Sequence, residues 1–302
     1  MLTWLLNRLL ATGDVFENIV GEDALPFAIG ERLGSGTFGR VHIATHSDET
    51  VAAKVLPKHV AIHDMNVLLP RSAAALREEV AIAKQLGGQH HCIMYMNVAE
   101  TPDALYVYYE LVPGGTLADR LQTAHREARR WAAQLLDAVA WCHENGIAHN
   151  DIKPENVLLT RAGPRSTATP NRVPETGADV RLCDWGLARR SSSETSAEIT
   201  GFWSAPEILA GRCDDFFVAD DWSAGLVVLA MCCGQPSETD VRELHRGGLA
   251  GAELFRAAVL KVQPLTHDVR VRALVARLLE PDPATRLSAE EALECEFVKG
   301  YA

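Results

Sequence analysis

The sequence is short of positive charge, of paired cysteines and of long uncharged apolar stretches. Lysine and arginine number 29 against 40 aspartates and glutamates, a formal charge of −11. That surplus argues against a nucleic-acid partner, whose phosphates select the opposite sign, and against docking on an anionic membrane surface. The seven cysteines are odd in number and form no CxxC pair. Neither a disulfide framework nor a zinc site of usual spacing follows from them, which points to a reducing, cytoplasmic compartment, with nuclear access left open. The longest apolar run, 224–234, is well short of the ~20 residues needed to span a bilayer. No internal repeat is present. Met1–Ala11 has the outline of a signal peptide, but Asn7 and Arg8 break its apolar core and no small-residue cleavage site follows cleanly. A short amphipathic helix is the expectation there.

What remains is globular. Over 302 residues, 47% are hydrophobic and 23% charged, with 22 glycines and 14 prolines, which excludes collagen-like, coiled-coil and wholly disordered chains. The front of the chain reads as short β-branched strands at 27–33, 40–45 and 50–56. A helix follows at 71–86, with apolar Ala75, Leu76, Val80, Ile82 and Ala83, and then strands at 93–100 and 104–111. Past Pro113-Gly114-Gly115 helical periodicity dominates, at 127–144, 219–233, 251–262 and 269–279. A strand-rich front and a helix-rich back predict an α+β chain of two lobes, 27–112 and 113–302, preceded by an extension at 1–26. Residues 160–179 carry three prolines and little that could be buried, and are expected to form a flexible surface insert.

Three clusters carry chemistry. Gly34-Ser35-Gly36-Thr37-Phe38-Gly39 is a GxGxxG, weak by itself. A strand pattern follows it at Arg40–Ala44, where a dinucleotide fold needs a helix, and Arg40 stands where a Walker loop needs lysine. A glycine-rich hairpin whose backbone N–H groups approach a phosphate chain is left. Lys54 lies in the next apolar strand and needs an anionic partner, for which Glu78 and Glu79 are both placed. His149-Asn150-Asp151-Ile152-Lys153-Pro154-Glu155-Asn156 and Cys183-Asp184-Trp185-Gly186 complete the set. Asp151, Asn156 and Asp184 offer oxygens at strand ends, suited to a hard, partly hydrated Mg²⁺. Taken singly, each is more simply an Asx turn or a cap.

In this order and register, the residues resemble the eukaryotic protein kinase family over about 27–298. Besides the clusters above, the resemblance rests on Ala52-Ala53-Lys54, Ala205-Pro206-Glu207, Asp220-Asp221-Trp222-Ser223-Ala224-Gly225, and Arg286 within Asp282–Ala289. It implies a two-lobed kinase fold and use of ATP and Mg²⁺. Carried over position by position, the loop of Leu33, Gly34, Gly36 and Gly39 would cover the phosphates. Lys54, paired with Glu79 and with Glu78 as fallback, would hold the α- and β-phosphates. Asp151 would orient the acceptor hydroxyl and take its proton, Lys153 would neutralise the moving phosphoryl group, and Asn156 with Asp184 would hold Mg²⁺. Adenine would lie between Val41 and Ala52 on one side and Leu158 on the other, hydrogen-bonded at Glu110–Val112. Glu207 and Arg286 would form a structural ion pair, at the end of an activation segment spanning 184–207.

Lys153 and Thr200 resemble the serine/threonine branch, so the implied substrate is a protein hydroxyl. A monomer is expected, with an activating partner left open. Three positions depart from the family pattern: Asn150 stands where an arginine is usual, Trp185 replaces phenylalanine, and Ala83 stands where a larger apolar side chain is usual. Without that arginine, basal activity is expected not to require phosphate on the segment. The competing class is a pseudokinase, a nucleotide-binding scaffold; the complete set Lys54, Glu79, Asp151, Lys153, Asn156 and Asp184 weighs against it.

Overall fold

The computed structural model describes residues 25–35, 39–62, 67–70, 73–161, 177–191, 201–234, 250–261 and 268–301, with backbone only at 59–62, 67–70 and 73–74. The expectations for Met1–Ala11, Gly36, Thr200 and most of the 160–179 insert therefore fall outside the described residues. The chain forms two compact units: one comprises the described residues up to Lys84 together with Met94–Leu111, the other Gln85–Ile93 and the residues from Val112 onward.

The first unit is built on a five-stranded antiparallel sheet of order β1-β2-β3-β7-β6. Its strands are β1 (Ala28–Ser35), β2 (Arg40–His46), β3 (Glu49–Pro57), β6 (Tyr95–Glu100) and β7 (Ala104–Glu110). Alternation along β3 divides its side chains between two faces. Val51 and Ala53 join Phe27, Ala44, Tyr106 and Tyr108 in an apolar cluster on one face. Ala52, Lys54 and Leu56 belong to the opposite set. β1 runs on through Gly34 and Ser35, two residues beyond the expected strand, with irregular register on either side of Arg32. Gly39 begins the return strand. A Cβ there would stand 2.5 Å from the Val55 carbonyl oxygen, so only glycine lets the two backbones pass so closely. A short hairpin that the sequence reading did not anticipate, β4 (His59–Ile62) with β5 (Val67–Pro70), precedes helix α1 (Ala73–Leu86).

The second unit is mainly helical: α2 (Ala128–Glu144), α3 (Pro206–Leu209), α4 (Phe216–Cys233), α5 (250–259), α6 (Val269–Leu278) and α7 (Ala289–Leu293). α4 begins three residues before its expected start, because the Asp215 side chain accepts from the Phe217 amide and caps it. It is long and apolar enough to cross a membrane by length and composition. Every residue from Ala219 to Met231 is nevertheless buried in the unit, which is the signature of a core helix. Two short ladder pairs position the loops: β8 (Ile147–Ala148) with β11 (Arg189–Arg190), and β9 (Val157–Leu159) with β10 (Val180–Leu182). The 160–179 insert leaves and returns through a fixed base. Asp179 accepts from Arg130 at 2.5 Å and Gln134 at 2.6 Å, and the Trp131 indole donates to the Ala178 carbonyl at 2.8 Å.

Candidate active site

In the first unit, β3 carries Lys54 between Val41 of β2 and Val107 of β7. Its ammonium is 2.5 Å from Glu79 Oε1 on α1, and both side chains are almost fully buried. Of the two candidate partners, the salt bridge is made by Glu79. A buried ion pair is costly to form, and removing one member leaves an uncompensated charge, so its presence here points to a positioning task. Gly34 pairs with Val41, Leu33 is half exposed, and Ala52 is buried beside Lys54 in β3. Glu110 ends β7, its side chain accepting from the Met94 amide at 2.9 Å.

The remaining candidates lie in the second unit, on the loop from β8 to β9. A 3-10 turn at Pro154–Asn156, with proline at its start, folds the chain back toward Asp151. Lys153 Nζ reaches both Asp151 carboxylate oxygens, at 2.9 and 2.7 Å. Asn156 spends both N–H donors on Asp151, one on the backbone carbonyl at 2.8 Å and one on Oδ2 at 2.9 Å. The atom Asn156 has left to offer a cation is its Oδ1. Its backbone carbonyl accepts from the Cys183 amide at 3.0 Å, which sets Asp184 beside it in the hydrogen-bonded framework. Asp184 has φ +72°, a left-handed conformation uncommon for a residue with a side chain, and its carboxylate accepts from the Gly186 amide. Two oxygen donors of this kind match the preference of Mg²⁺ for one or two protein oxygens plus water. Val112 and Leu158 also belong to this unit; Leu158 pairs with Arg181 in the β9–β10 ladder.

The loop is held from beneath by a residue the sequence reading matched but gave no task. Asp220, buried on α4, accepts from the His149 amide at 2.6 Å and the Asn150 amide at 2.8 Å. His143 Nε2 is 3.2 Å from the same carboxylate, while Asp221 lies 3.9 Å from its other ring nitrogen and accepts from the Ala289 amide. Burial works against the charged imidazole of His143, but the Asp220 and Asp221 carboxylates outweigh it and raise its pKa. Burial pushes Asp221 up to about 7, against the opposing pull of His143 and the Ala289 N–H. The charged character of Asp220 was visible in the run Asp220–Gly225; that its partners are backbone amides seventy residues upstream was not.

His149 is fully buried. Its Nδ1 accepts from the Asp151 amide, so Nε2 carries the proton and donates to the Cys183 carbonyl at 3.1 Å. His90 stacks on Trp141 and bonds Asp137. Glu207 and Arg286 form a bidentate salt bridge at 2.5 and 2.9 Å.

Comparison with known proteins agrees with this arrangement. The chain is 30% identical over 278 residues to CBL-interacting serine/threonine-protein kinase 24 of Arabidopsis thaliana, covering 87% of this chain and 55% of that protein. It is 31% identical over 281 residues to CBL-interacting protein kinase 4 of Oryza sativa subsp. japonica, with coverage of 87% and 55%. Against CBL-interacting serine/threonine-protein kinase 3 of Arabidopsis thaliana the identity is 29% over 285 residues, covering 90% and 58%. The chain thus spans little more than half the length of these relatives. Residues 27–298 match the family model for the protein kinase domain, the same stretch that holds every hydrogen-bonded cluster described above, and the chain belongs to that family.

Proposed function

We propose that the chain transfers the γ-phosphoryl group of ATP to serine or threonine hydroxyls of protein substrates. The observation that carries this reading is the Asp151 carboxylate, clasped by Lys153 and by both amide hydrogens of Asn156. That clasp fixes an acceptor oxygen in space beside a cation, which is what a hydroxyl needs to be oriented and to shed its proton as it attacks. Lys153 then faces the incoming negative charge of the phosphoryl group, and Lys54, aligned by Glu79, binds phosphate oxygens. Asn156 Oδ1 and the Asp184 carboxylate are the residues that would hold Mg²⁺, which when bound supplies charge neutralisation along the phosphates. Catalysis of this kind is positioning and electrostatics, with little covalent work for the protein. The serine/threonine preference is supported by Lys153, two residues after Asp151, and by the printed names of the relatives.

The test is phosphate transfer from ATP with Mg²⁺ to a degenerate serine/threonine peptide library, beside Asp151→Asn. Transfer should fall by roughly 10²–10⁴-fold in the variant, the usual size of a general-base contribution. A folded wild-type chain that binds ATP and transfers nothing to any peptide, even after supply of a cellular extract, would instead establish the scaffold reading.

A further inference from the structure

Asp184 sits in a left-handed conformation, which its own carboxylate supports locally by accepting from the Gly186 amide, and the chain on either side of it is braced from outside the residue. The chain on its N-terminal side is braced by His149, whose imidazole N–H donates to the Cys183 carbonyl at 3.1 Å. On the C-terminal side stands Asn150. Its Nδ2 donates to the Leu187 carbonyl at 3.2 Å, with a longer approach to the Ala148 carbonyl at 3.5 Å. Asn150 is itself left-handed, at φ +63°, and is buried to 8% exposure. Its backbone is anchored through the Asp220 carboxylate. The carboxamide oxygen is buried with no hydrogen-bond partner among the described residues. Asparagine tolerates a left-handed backbone, but its buried orphan acceptor forfeits its hydration. Glycine would keep the same backbone without that cost, so the donor half of the side chain needs a reason to be there.

The geometry points to Asn150 as a positioning residue for Asp184: its carboxamide pins the Leu187 carbonyl and, with His149, clamps the chain on both sides of the metal-binding carboxylate. The inference rests on the kinase reading of Asp184 given above. The ladder between Arg189–Arg190 and Ile147–Ala148 continues the same attachment beyond the clamp. The contact is made by a neutral amide and a main-chain carbonyl, so it is present without any modification of the segment that follows. Asn150 touches neither substrate nor metal; it acts through the backbone of residues 184–187.

Two substitutions keep the left-handed backbone and remove the donor: Asn150→Gly, at ease at positive φ, and Asn150→Asp, of equal shape but acceptor-only at neutral pH. Amide hydrogen exchange in the full chain without nucleotide should accelerate at Gly186 and Ala188 by tenfold or more in both, while α4 stays protected. Mn²⁺ binding followed by electron paramagnetic resonance, with a non-hydrolysable ATP analogue present, should weaken by about tenfold in both, and nucleotide affinity without metal should hold. A purely structural role for Asn150 would raise exchange throughout the unit and leave Mn²⁺ affinity of the folded fraction alone, which would overturn the inference. Unchanged exchange at 186 and 188 would overturn it as well. If wild-type chain binds no Mn²⁺–nucleotide, the kinase reading fails on its own, and the exchange experiment still decides whether the clamp exists.

Discussion

Asp221 shows what a single buried carboxylate does to the molecule. It sits on the core helix α4, 4% exposed at its side chain, between His143 and the first amide of α7. Its pKa is pushed from 3.8 to about 7, chiefly by burial. A carboxyl raised on folding binds its proton more tightly in the native state than in the unfolded one. Its contribution is therefore fully favourable below about pH 4 and is lost as pH climbs through 7. His143, also raised, loses its favourable charge interaction over the same rise. Wild-type stability should accordingly decline between about pH 4 and 8, through Asp221 up to about 7 and through His143 above about 6.5. Asn at position 221 retains an oxygen for the Ala289 amide and has no proton to lose. Asp221→Asn should thus flatten the decline, recovering on the order of 2–4 kcal/mol at pH 8.5, by linkage from the three-unit displacement. Thermal melts of both proteins across that range would check it, and parallel curves would refute the assignment.

Among the elements, the crossing of α4 with α6 is set by a glycine. A Cβ built on Gly225 would lie 2.7 Å from Leu278 Cβ and 3.1 Å from Leu279 Cδ2, closer than side-chain atoms tolerate. Gly225→Ala gains ~1 kcal/mol of helix propensity. It must also push α6 away from α4, an overpacking cost of ~1–3 kcal/mol. The net expectation is a loss of up to about 2 kcal/mol in urea unfolding, and a stabilised variant would show that α6 moves freely. Elements of this regularity were legible in the sequence: the strands of the first unit alternate, and α2 and α6 carry an apolar stripe. The Lys54–Glu79 pair was legible too: charge alone left two neighbouring glutamates open, and the resemblance singled out Glu79, the one that makes the salt bridge. The hairpin at 59–70 went unread because its strands are only four residues each. β8 and β11 are two residues each, too short for any pattern, and exist because Asp220 and Asn150 bring their loops together. Asp151, Asn156 and Asp184 were readable as residue types, whereas the left-handed φ of Asn150 and Asp184 comes from contacts far away in the chain.

At the scale of the whole second unit, Arg286 links stretches that the sequence holds far apart. Its guanidinium makes two bonds to Glu207, at the start of α3, and donates to the carbonyls of Val218 and Glu280, each at 2.8 Å. It also lies over the Trp222 ring at 5.1 Å, and its side chain is fully buried. With a longer bond to the Pro281 carbonyl at 3.4 Å, every donor is spent in a place where water cannot replace the partners. Arg286→Met keeps the length of the side chain and leaves Glu207 as a nearly buried charge with no guanidinium opposite. Removing one member of such a pair costs about 3–5 kcal/mol, much more than the pair's net worth against an apolar replacement. The double variant Arg286→Met with Glu207→Leu should therefore be the more stable of the two, by about 1–3 kcal/mol. Five of the six tryptophans, at 131, 141, 185, 203 and 222, lie in this unit, so urea unfolding followed by indole fluorescence reads it directly. The midpoint should fall for Arg286→Met with an unchanged slope and climb part of the way back in the double variant. A double variant weaker than the single one would mean that the Glu207 carboxylate, even without the guanidinium, makes contacts worth more than its burial costs, and would refute the unpaired-charge account.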